Sequence, residues 1–427
     1  MSKEFFKKHK YSIIIIIFFL IMLPTTIGLP SQTDTRAIVT GVSIDKSEDE
    51  FSVALQLITP QSNLSNNENI EIVEDKGDTF QACVNNLGIK LGKVVGFEHT
   101  NIIIIGDGVK GEDLMNIFDY LFRNSKITLS TIVLQSNKTA KKILETSAEL
   151  NNNSSSSLQN NLAYNDEIIE TSNTASIGNF FNDYFSFSKV SIIPIIEEPD
   201  EESGNTKTQG GGASGGGASG GSGSDSGSQG GGQGSGGGEK QATVEPLIKN
   251  NGESAVYKKG VYVTKLDKKL TSGFSLLNKR TSKGIIKVEN VTDNKFYYDS
   301  TVTVKIETSK IKIKPVIKND RLVYKADINL FAFVSEVVDK NAKTHKIMVS
   351  DENFLTEELR AKMNEKMKQR IENSLNFCKQ QKLDVFKFYD KFYKYNKKGL
   401  IKILNLYGED YLDACDIEAN IKIYPYK

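Results

Sequence analysis

The sequence predicts a multidomain α+β protein in which mixed and antiparallel sheets pack against helices, behind an N-terminal apolar segment. Three observations carry that prediction. The chain has 427 residues, more than one hydrophobic core organises. Apolar runs at period two, the spacing of a strand with one buried face, are interspersed with runs at three to four residues, the spacing of an amphipathic helix. In the C-terminal half the strand patterns come first and the helices follow, an order that belongs to antiparallel sheets and not to repeated strand-helix units.

Residues 1–29 read as an export signal or membrane anchor. Lys3, Lys7, Lys8 and Lys10 precede an uncharged run that opens at Tyr11, contains Ile13, Ile14, Ile15, Ile16 and Ile17 in succession and continues through Leu23. Basic residues before such a run hold the N-terminus in the cytoplasm and send the rest of the chain outside. Counted to Leu29 the stretch is about 19 residues, just enough to cross a bilayer core. Thr26 and Gly28 offer small residues to a signal peptidase, whereas Pro24 and Pro30 end a helix at the outer interface, and a retained anchor is the favoured reading.

Residues 33–150 read as an N-terminal α+β domain. The segments 36–44 (RAIVTGVSI) and 51–58 (FSVALQLI) make a hairpin, with Phe51, Val53, Leu55 and Leu57 alternating. Phe80, Cys83, Val84, Leu87 and Leu91 then mark a helix capped by Asp78 or Thr79. Four successive isoleucines in 101–106 describe a strand covered on both faces. A helix carrying Leu114, Ile117, Phe118, Leu121 and Phe122, a strand over 127–134 and a helix over 139–150 complete the domain.

Residues 151–275 read as a middle domain interrupted by a Gly/Ser-rich insertion, 203–240. The Asn/Ser-rich stretch 151–161 is expected to be mobile. In 190–196 (VSIIPII) Pro194 removes an N–H, which predicts an edge or bulge position. From Gly210 to Gly238 the chain is almost entirely Gly, Ser and Gln, after the acidic run 197–202; it has no apolar area to bury against its ordering entropy and is expected to stay a flexible coil. Residues 255–266 (AVYKKGVYVTKL) then predict two short strands.

Residues 276–427 read as a C-terminal domain of antiparallel sheet and long helix. Alternation over 283–291, 301–306, 310–317 and 322–334 suffices for four antiparallel strands. Leu359, Met363, Met367, Ile371, Leu375 and Cys378 recur every three to four residues along one long helix. Asp384 is placed to cap a shorter aromatic helix through Phe386, Phe388, Tyr389, Phe392 and Tyr393. The final strand alternates Cys415, Ile417, Ala419, Ile421 and Ile423.

Little in the chain can do catalysis. Its three histidines, His9, His99 and His345, are far apart and form no metal-binding or Ser-His pattern. His99 is expected to be a satisfied strand-end residue. Carboxylate pairs such as Asp49/Glu50 and Glu357/Glu358 sit in turns or on helix faces, where solvated charge is the default. Cys83, Cys378 and Cys415 lie at no metal-ligand spacing and read as buried apolar residues. The aromatics of 386–395, interleaved with lysines, are read as core rather than as a base-stacking surface. A net charge of +1 gives no electrostatic footprint for nucleic acid. No catalytic residue, metal ligand, cofactor site or nucleic-acid partner is therefore expected.

Several strings stand out together. Residues 36–46 end an apolar strand in G-x-x-x-D-K (Gly41, Asp45, Lys46). His99 precedes the isoleucine strand, Leu121, Phe122, Arg123 and Asn124 close a helix, and Ala255, Val256, Tyr257 and Lys258 follow the insertion. Glu336, the long helix, residues 384–388 and the alternating last strand make up the tail. In combination these resemble the Ger(x)C family, the C subunits of spore germinant receptors. The resemblance implies a non-enzymatic extracytoplasmic subunit with membrane-embedded A and B subunits as partners, located on the outer side of the spore inner membrane, a small-molecule germinant being a further potential partner. It also implies a lipidated cysteine just before the first strand, yet residues 20–35 contain none, so the apolar run itself must anchor the chain. The alternative reading is a membrane-anchored solute-binding protein, which requires paired α/β lobes; a surface hydrolase is disfavoured by the scarcity of histidine.

Overall fold

The computed structural model describes residues 36–59, 69–124, 126–150, 175–197, 250–277, 283–293, 296–339 and 354–426, together with Phe18. The N-terminal apolar run otherwise, the Asn/Ser stretch, the Gly/Ser-rich insertion and His345 lie outside the described residues. Among the described residues no helix is long and apolar enough to cross a membrane.

The first half is built on a ten-stranded mixed sheet. β1 (Arg36–Ser47) and β2 (Glu50–Thr59) form the expected antiparallel hairpin, and β3 (Asn69–Gly77) extends it at the edge. On the other side of β1, β4 (Val94–Gly96) and β5 (Ile102–Ile105) pair with successive stretches of it in parallel, and β6 (Ile132–Ser136) runs parallel to β5. The two-residue β7 (Ala175–Ser176) pairs with β6, and β8 (Val190–Ile196), β9 (Ser254–Lys258) and β10 (Val261–Leu266) carry the sheet outward.

Helices cover both faces of this sheet, which explains the unbroken apolar run of β5. On one face α1 (Phe80–Leu91), α2 (Asp113–Asn124) and α4 (Ile177–Tyr184) bury Leu87, Phe118 and Phe180 with Ile103 and Ile105. On the other, α3 (Ala140–Leu150) buries Ile143 and Leu144 with Ile102 and Ile104. Thr79 caps α1, accepting from the Ala82 N–H at 3.1 Å, and Gly92 ends it at φ 60°, a left-handed conformation that glycine adopts at little cost.

Two expectations for this half are corrected. The strand expected over 127–134 begins only at Ile132, because Thr128 to Thr131 form a turn closed by the Thr131 N–H on the Thr128 carbonyl, 3.1 Å. β8 is an interior strand and not an edge. Pro194 is tolerated there because the Ile195 N–H bonds toward β9, to Glu253 O at 3.0 Å, which leaves the proline nitrogen on the β6 side, where pairing starts only at Gln135 and Ile195.

The second half has a four-stranded sheet, β11 (Gly284–Val291), β12 (Ser300–Lys318), β13 (Arg321–Asp339) and β14 (Cys415–Pro425), in that spatial order. The runs 301–306 and 310–317 are one strand of 19 residues with a bulge near Glu307, so the four antiparallel strands expected from alternation are three. The fourth member is β14, and it pairs with β13 in parallel over its whole length. A chain returning through helices re-enters a sheet in parallel, whereas tight turns enforce antiparallel pairing. The returning helices are α6 (Glu357–Gln380), α7 (Phe388–Tyr395) and α8 (Lys397–Tyr407).

One large core holds this half together. α6 inserts Leu359, Met363, Met367 and Ile371 against the inner residues of β11 to β14, and Val190, Val256 and Leu266 of β8 to β10 join the same cluster. The preceding helix α5 (Lys268–Ser275) lies so close on α6 that a Cβ at Gly273 would stand 2.2 Å from the Arg370 carbonyl oxygen. Cys83, Cys378 and Cys415 are buried and unbridged. Burial pushes the thiol of Cys83 up to about 11 and that of Cys378 up to about 12, so both remain protonated at neutral pH.

Arg321 on β13 grips Asp416 on β14 through both carboxylate oxygens, and Lys379 of α6 reaches the same group at 3.3 Å. The Arg321 hydrogen bonds hold the Asp416 carboxyl below its ordinary value. A depressed acid stabilises the fold above its unfolded pKa of about 3.9, and that contribution disappears as pH falls through the folded value. Asp416→Asn is accordingly expected to flatten the loss of stability below about pH 4 relative to the parent. Urea unfolding at stepped pH checks this, and curves that stay parallel would count against the clamp.

Candidate interaction site

The motifs singled out in the sequence turn out to be fastenings. The carboxylate of Asp45 accepts from the Ala140 and Lys141 N–H groups at 2.7 and 3.0 Å and so caps α3 from the end of β1. Its neighbour Lys46 pairs with Asp113 at the start of α2, 2.8 Å. Burial pushes the Asp45 carboxyl above its ordinary value, against the pull of the two backbone N–H groups. Close approach explains the adjoining glycine, since a Cβ at Gly108 would fall 1.9 Å from the Lys46 carbonyl oxygen. Tyr257, in the block after the insertion, donates to Gln135 Oε1 at 2.5 Å inside the core, locking β9 to β6.

His99 is not the satisfied strand-end residue expected. Thr100 fills that role, its hydroxyl donating to Val39 O at 3.2 Å, while His99 is exposed beside a shallow cleft of about 470 Å³. Ile38, Thr40, Ile58, Glu98, Asn101 and Thr128 also line the cleft, and Glu98 is ion-paired to Arg36 at 3.0 Å. Among the described residues no group of three His, Cys, Asp or Glu is placed to hold a metal ion.

The most distinctive surface lies where the two halves join. α4 ends at Tyr184, and the following turn is tied by the Ser186 hydroxyl, which donates to Asp183 O at 2.7 Å. That turn presents its backbone to α7: the Asp390 carboxylate accepts from the Phe187 N–H at 2.8 Å and the Ser188 N–H at 3.2 Å. Lys387 pairs with Asp183, and Lys258 donates to the Lys382 carbonyl at 3.0 Å. Burial raises the Asp183 carboxyl above its ordinary value in spite of the Lys387 charge. The Phe187 ring lies over Tyr389 and Tyr393, with centroids 5.0 and 4.3 Å away.

Asp384 positions α7 for this contact. The helix starts at Phe388, later than the sequence suggests, and the fully buried carboxylate reaches forward to accept from the Phe388 and Tyr389 N–H groups, 2.8 and 2.9 Å, and from the Tyr411 hydroxyl, 2.8 Å. Phe386, Phe388 and Phe392 are buried as expected, but Tyr393 and Tyr395 are not. With Phe122, Phe185 and Phe187 they leave five aromatic rings 38 to 76 % exposed on the two sides of the joint. Phe122 packs on Phe181, and Phe181 stacks on Phe185, so the rings on the α2 and α4 side form one continuous surface. The sequence reading missed this rim; the alternation Phe185-Ser-Phe187 was its one local trace.

The molecule thus carries exposed rings around a joint between two unlike sheets, and not the paired α/β lobes that a solute-binding protein requires. Two family models match this chain: Spore germination protein N-terminal domain over residues 31–198, and Spore germination B3/GerAC-like, C-terminal, over 252–424. The chain belongs to the GerAC-like family of spore germination proteins, the receptor C subunits. The unmatched stretch between them contains the Gly/Ser-rich insertion. YfkR of Bacillus subtilis (strain 168), whose name assigns it provisionally to spore germination, is 24 % identical over 183 residues, 41 % of this chain and 46 % of its own. That match therefore spans about half of the relative. The crystal structure of the GerBC protein is similar over 91 % of this chain and 97 % of its own, with 14 % identity and a TM-score of 0.49.

Proposed function

We propose that this chain is the non-enzymatic extracytoplasmic C subunit of a germinant receptor complex, that it supports nutrient-triggered germination, and that its N-terminal apolar segment holds it at the outer face of the spore inner membrane. It works by docking, and the membrane-embedded A and B subunits are its partners. The observation that carries this reading is the set of exposed rings on the two sides of the joint, since exposed apolar groups gathered on a surface mark interaction sites and aromatics are enriched in interface cores. Phe185→Asp and Tyr395→Asp together are expected to remove the A and B subunits from material purified through this chain, while leaving its melting temperature unchanged. Full recovery of both subunits with the double variant rejects the rim as the docking surface.

The cleft beside His99 favours a second reading, direct germinant binding, because its volume falls within the roughly 300–1,000 Å³ of small-molecule sites and hydroxyl groups line it. Thermal shifts of the full chain across candidate nutrients test it, and a uniform null result removes that role.

A further inference from the structure

The inner face of the β11 to β14 sheet is covered by α6, α7 and α8, and among the described residues no helix packs on its outer face. Along β12, Ile311 and Ile313 turn inward against the core, so Lys310, Lys312 and Lys314 turn outward, and all three are exposed. Lys314 stands directly opposite Lys325 of β13, and Lys310 lies in register with Asn329, which is in register with Lys422 of β14. Like charges in direct cross-strand register destabilise a sheet, so folding alone gives no reason for this arrangement. Asp327, opposite Lys312, is the one acid facing these three lysines of β12, and it lies beyond ion-pair distance of Lys312 while it accepts from the Asn420 amide at 2.9 Å; Glu418 is taken by Lys318 at 2.5 Å, and among the described residues no ion pair involves Lys310, Lys312, Lys314 or Lys422, so positive charge stays in excess on this face. In a chain of net charge +1 this is a local concentration of positive charge.

Aromatic rings lie among these lysines on the same face. Phe331 stacks on Tyr424 at 5.5 Å, Lys310 sits over the Phe331 ring at 5.4 Å and Lys305 over the Phe333 ring at 5.7 Å. Apolar rings and ammonium groups thus sit side by side on this face, two of the ammoniums over ring faces. Lysines flanking aromatic rings are the composition of a protein surface at the level of lipid headgroups. An acidic protein segment would satisfy the lysines but makes no particular use of a Phe-Phe-Tyr ladder; nucleic-acid bases stack on such rings, but a chain of net charge +1 lacks the broad basic footprint that nucleic-acid binding needs.

We propose that the outer face of this sheet rests on an anionic lipid surface, with Lys310, Lys312 and Lys314 against headgroup phosphates and Phe331 and Tyr424 at the level of the glycerol backbone. The inference rests on the reading that the chain sits at a membrane, and its test separates the two. The protein contains no tryptophan, so Tyr424→Trp in the full chain is a single reporter on this face. It is reconstituted with vesicles of brominated phosphatidylglycerol in phosphatidylcholine, or of brominated phosphatidylcholine alone. The emission is expected to be quenched only in the anionic vesicles. Quenching should disappear at about 1 M salt, where screening extends over only ~3 Å, and on adding Lys310→Glu, Lys312→Glu and Lys314→Glu.

Unquenched emission from protein that is nevertheless vesicle-bound overturns the proposal and leaves the membrane reading intact. Protein that does not bind vesicles at all overturns both. A change in emission without vesicles on deleting residues 197–240 assigns the face to the chain's own acidic segment, and a preference for a DNA oligonucleotide over anionic vesicles assigns it to nucleic acid; either result overturns the proposal.

Discussion

Ile371→Asp is expected to unfold the second half of the molecule. Ile371 lies midway along α6, 2 % exposed, in the cluster that unites that helix with the inner faces of β11 to β14. Aspartate there loses the transfer free energy of the apolar side chain and brings a carboxylate into the core. The combined cost is roughly 3 kcal/mol or more, a large share of the 5–15 kcal/mol that stabilises a typical domain. Lys368→Glu, on the exposed side of the same helix, changes charge without touching the core and is expected to stay within about 0.5 kcal/mol of the parent. Guanidinium unfolding followed by near-ultraviolet circular dichroism reads both. If Ile371→Asp kept the parent's midpoint, that face of α6 would be accessible to water and the assigned core would be wrong.

Asp384→Ala comes next in size, and for a different reason. One buried carboxylate satisfies three donors, the N–H groups of Phe388 and Tyr389 and the hydroxyl of Tyr411. Alanine leaves all three without an acceptor in a site closed to solvent. An orphaned buried donor costs about 1–3 kcal/mol, so the sum is roughly 3 kcal/mol or above. The first turn of α7 should fray, and with it the contact between Asp390 and the Phe187 turn. Hydrogen exchange at the Phe388, Tyr389, Phe187 and Ser188 amides separates this outcome from simple loss of packing. Protection unchanged at all four amides would show that Asp384 does not organise the helix.

Much of this architecture is legible in the sequence where a pattern is local. Phe51, Val53, Leu55 and Leu57 alternate because one face of β2 carries large apolar residues into the core under α1 while the other offers only small or polar ones such as Ser52, Ala54 and Gln56, and the four isoleucines of β5 do not alternate because both faces are filled with large apolar side chains. The heptad-like spacing of α6 marks its buried stripe residue by residue. β3 escaped notice because an edge strand carries charges, Glu71, Glu74, Asp75 and Lys76, where an interior one carries apolar residues. α8 buries only Leu400 and Ile403, too short a stripe to register as a period. The bulge near Glu307, where Glu307, Thr308 and Ser309 interrupt the alternation, made β12 read as two strands. The parallel entry of β14 depends on the route the chain takes through three helices, which no period records.

The joint was illegible for a further reason. Asp390 and the turn it holds are 203 and 202 residues apart in sequence, and a surface-type aspartate in a lysine-rich helix carries no sign that it faces main-chain amides. The same holds for Asp183, which looks like an ordinary polar residue at the end of a short helix. Only the third dimension turns these residues into a fastening.

That fastening has an evolutionary consequence. Asp390 binds the main-chain N–H groups of Phe187 and Ser188, and Lys258 binds the main-chain oxygen of Lys382. An amide or a carbonyl is the same object whichever side chain it carries, provided the residue supplying an N–H is not proline. Positions 188 and 382 can therefore change without cutting these links, whose side-chain requirement falls on Asp390 and Lys258, whereas the Phe187 ring on Tyr389 and Tyr393 and the Lys387–Asp183 pair remain tied to their side chains. A joint made partly of main-chain contacts tolerates more sequence change at its surface than one made of side chains alone.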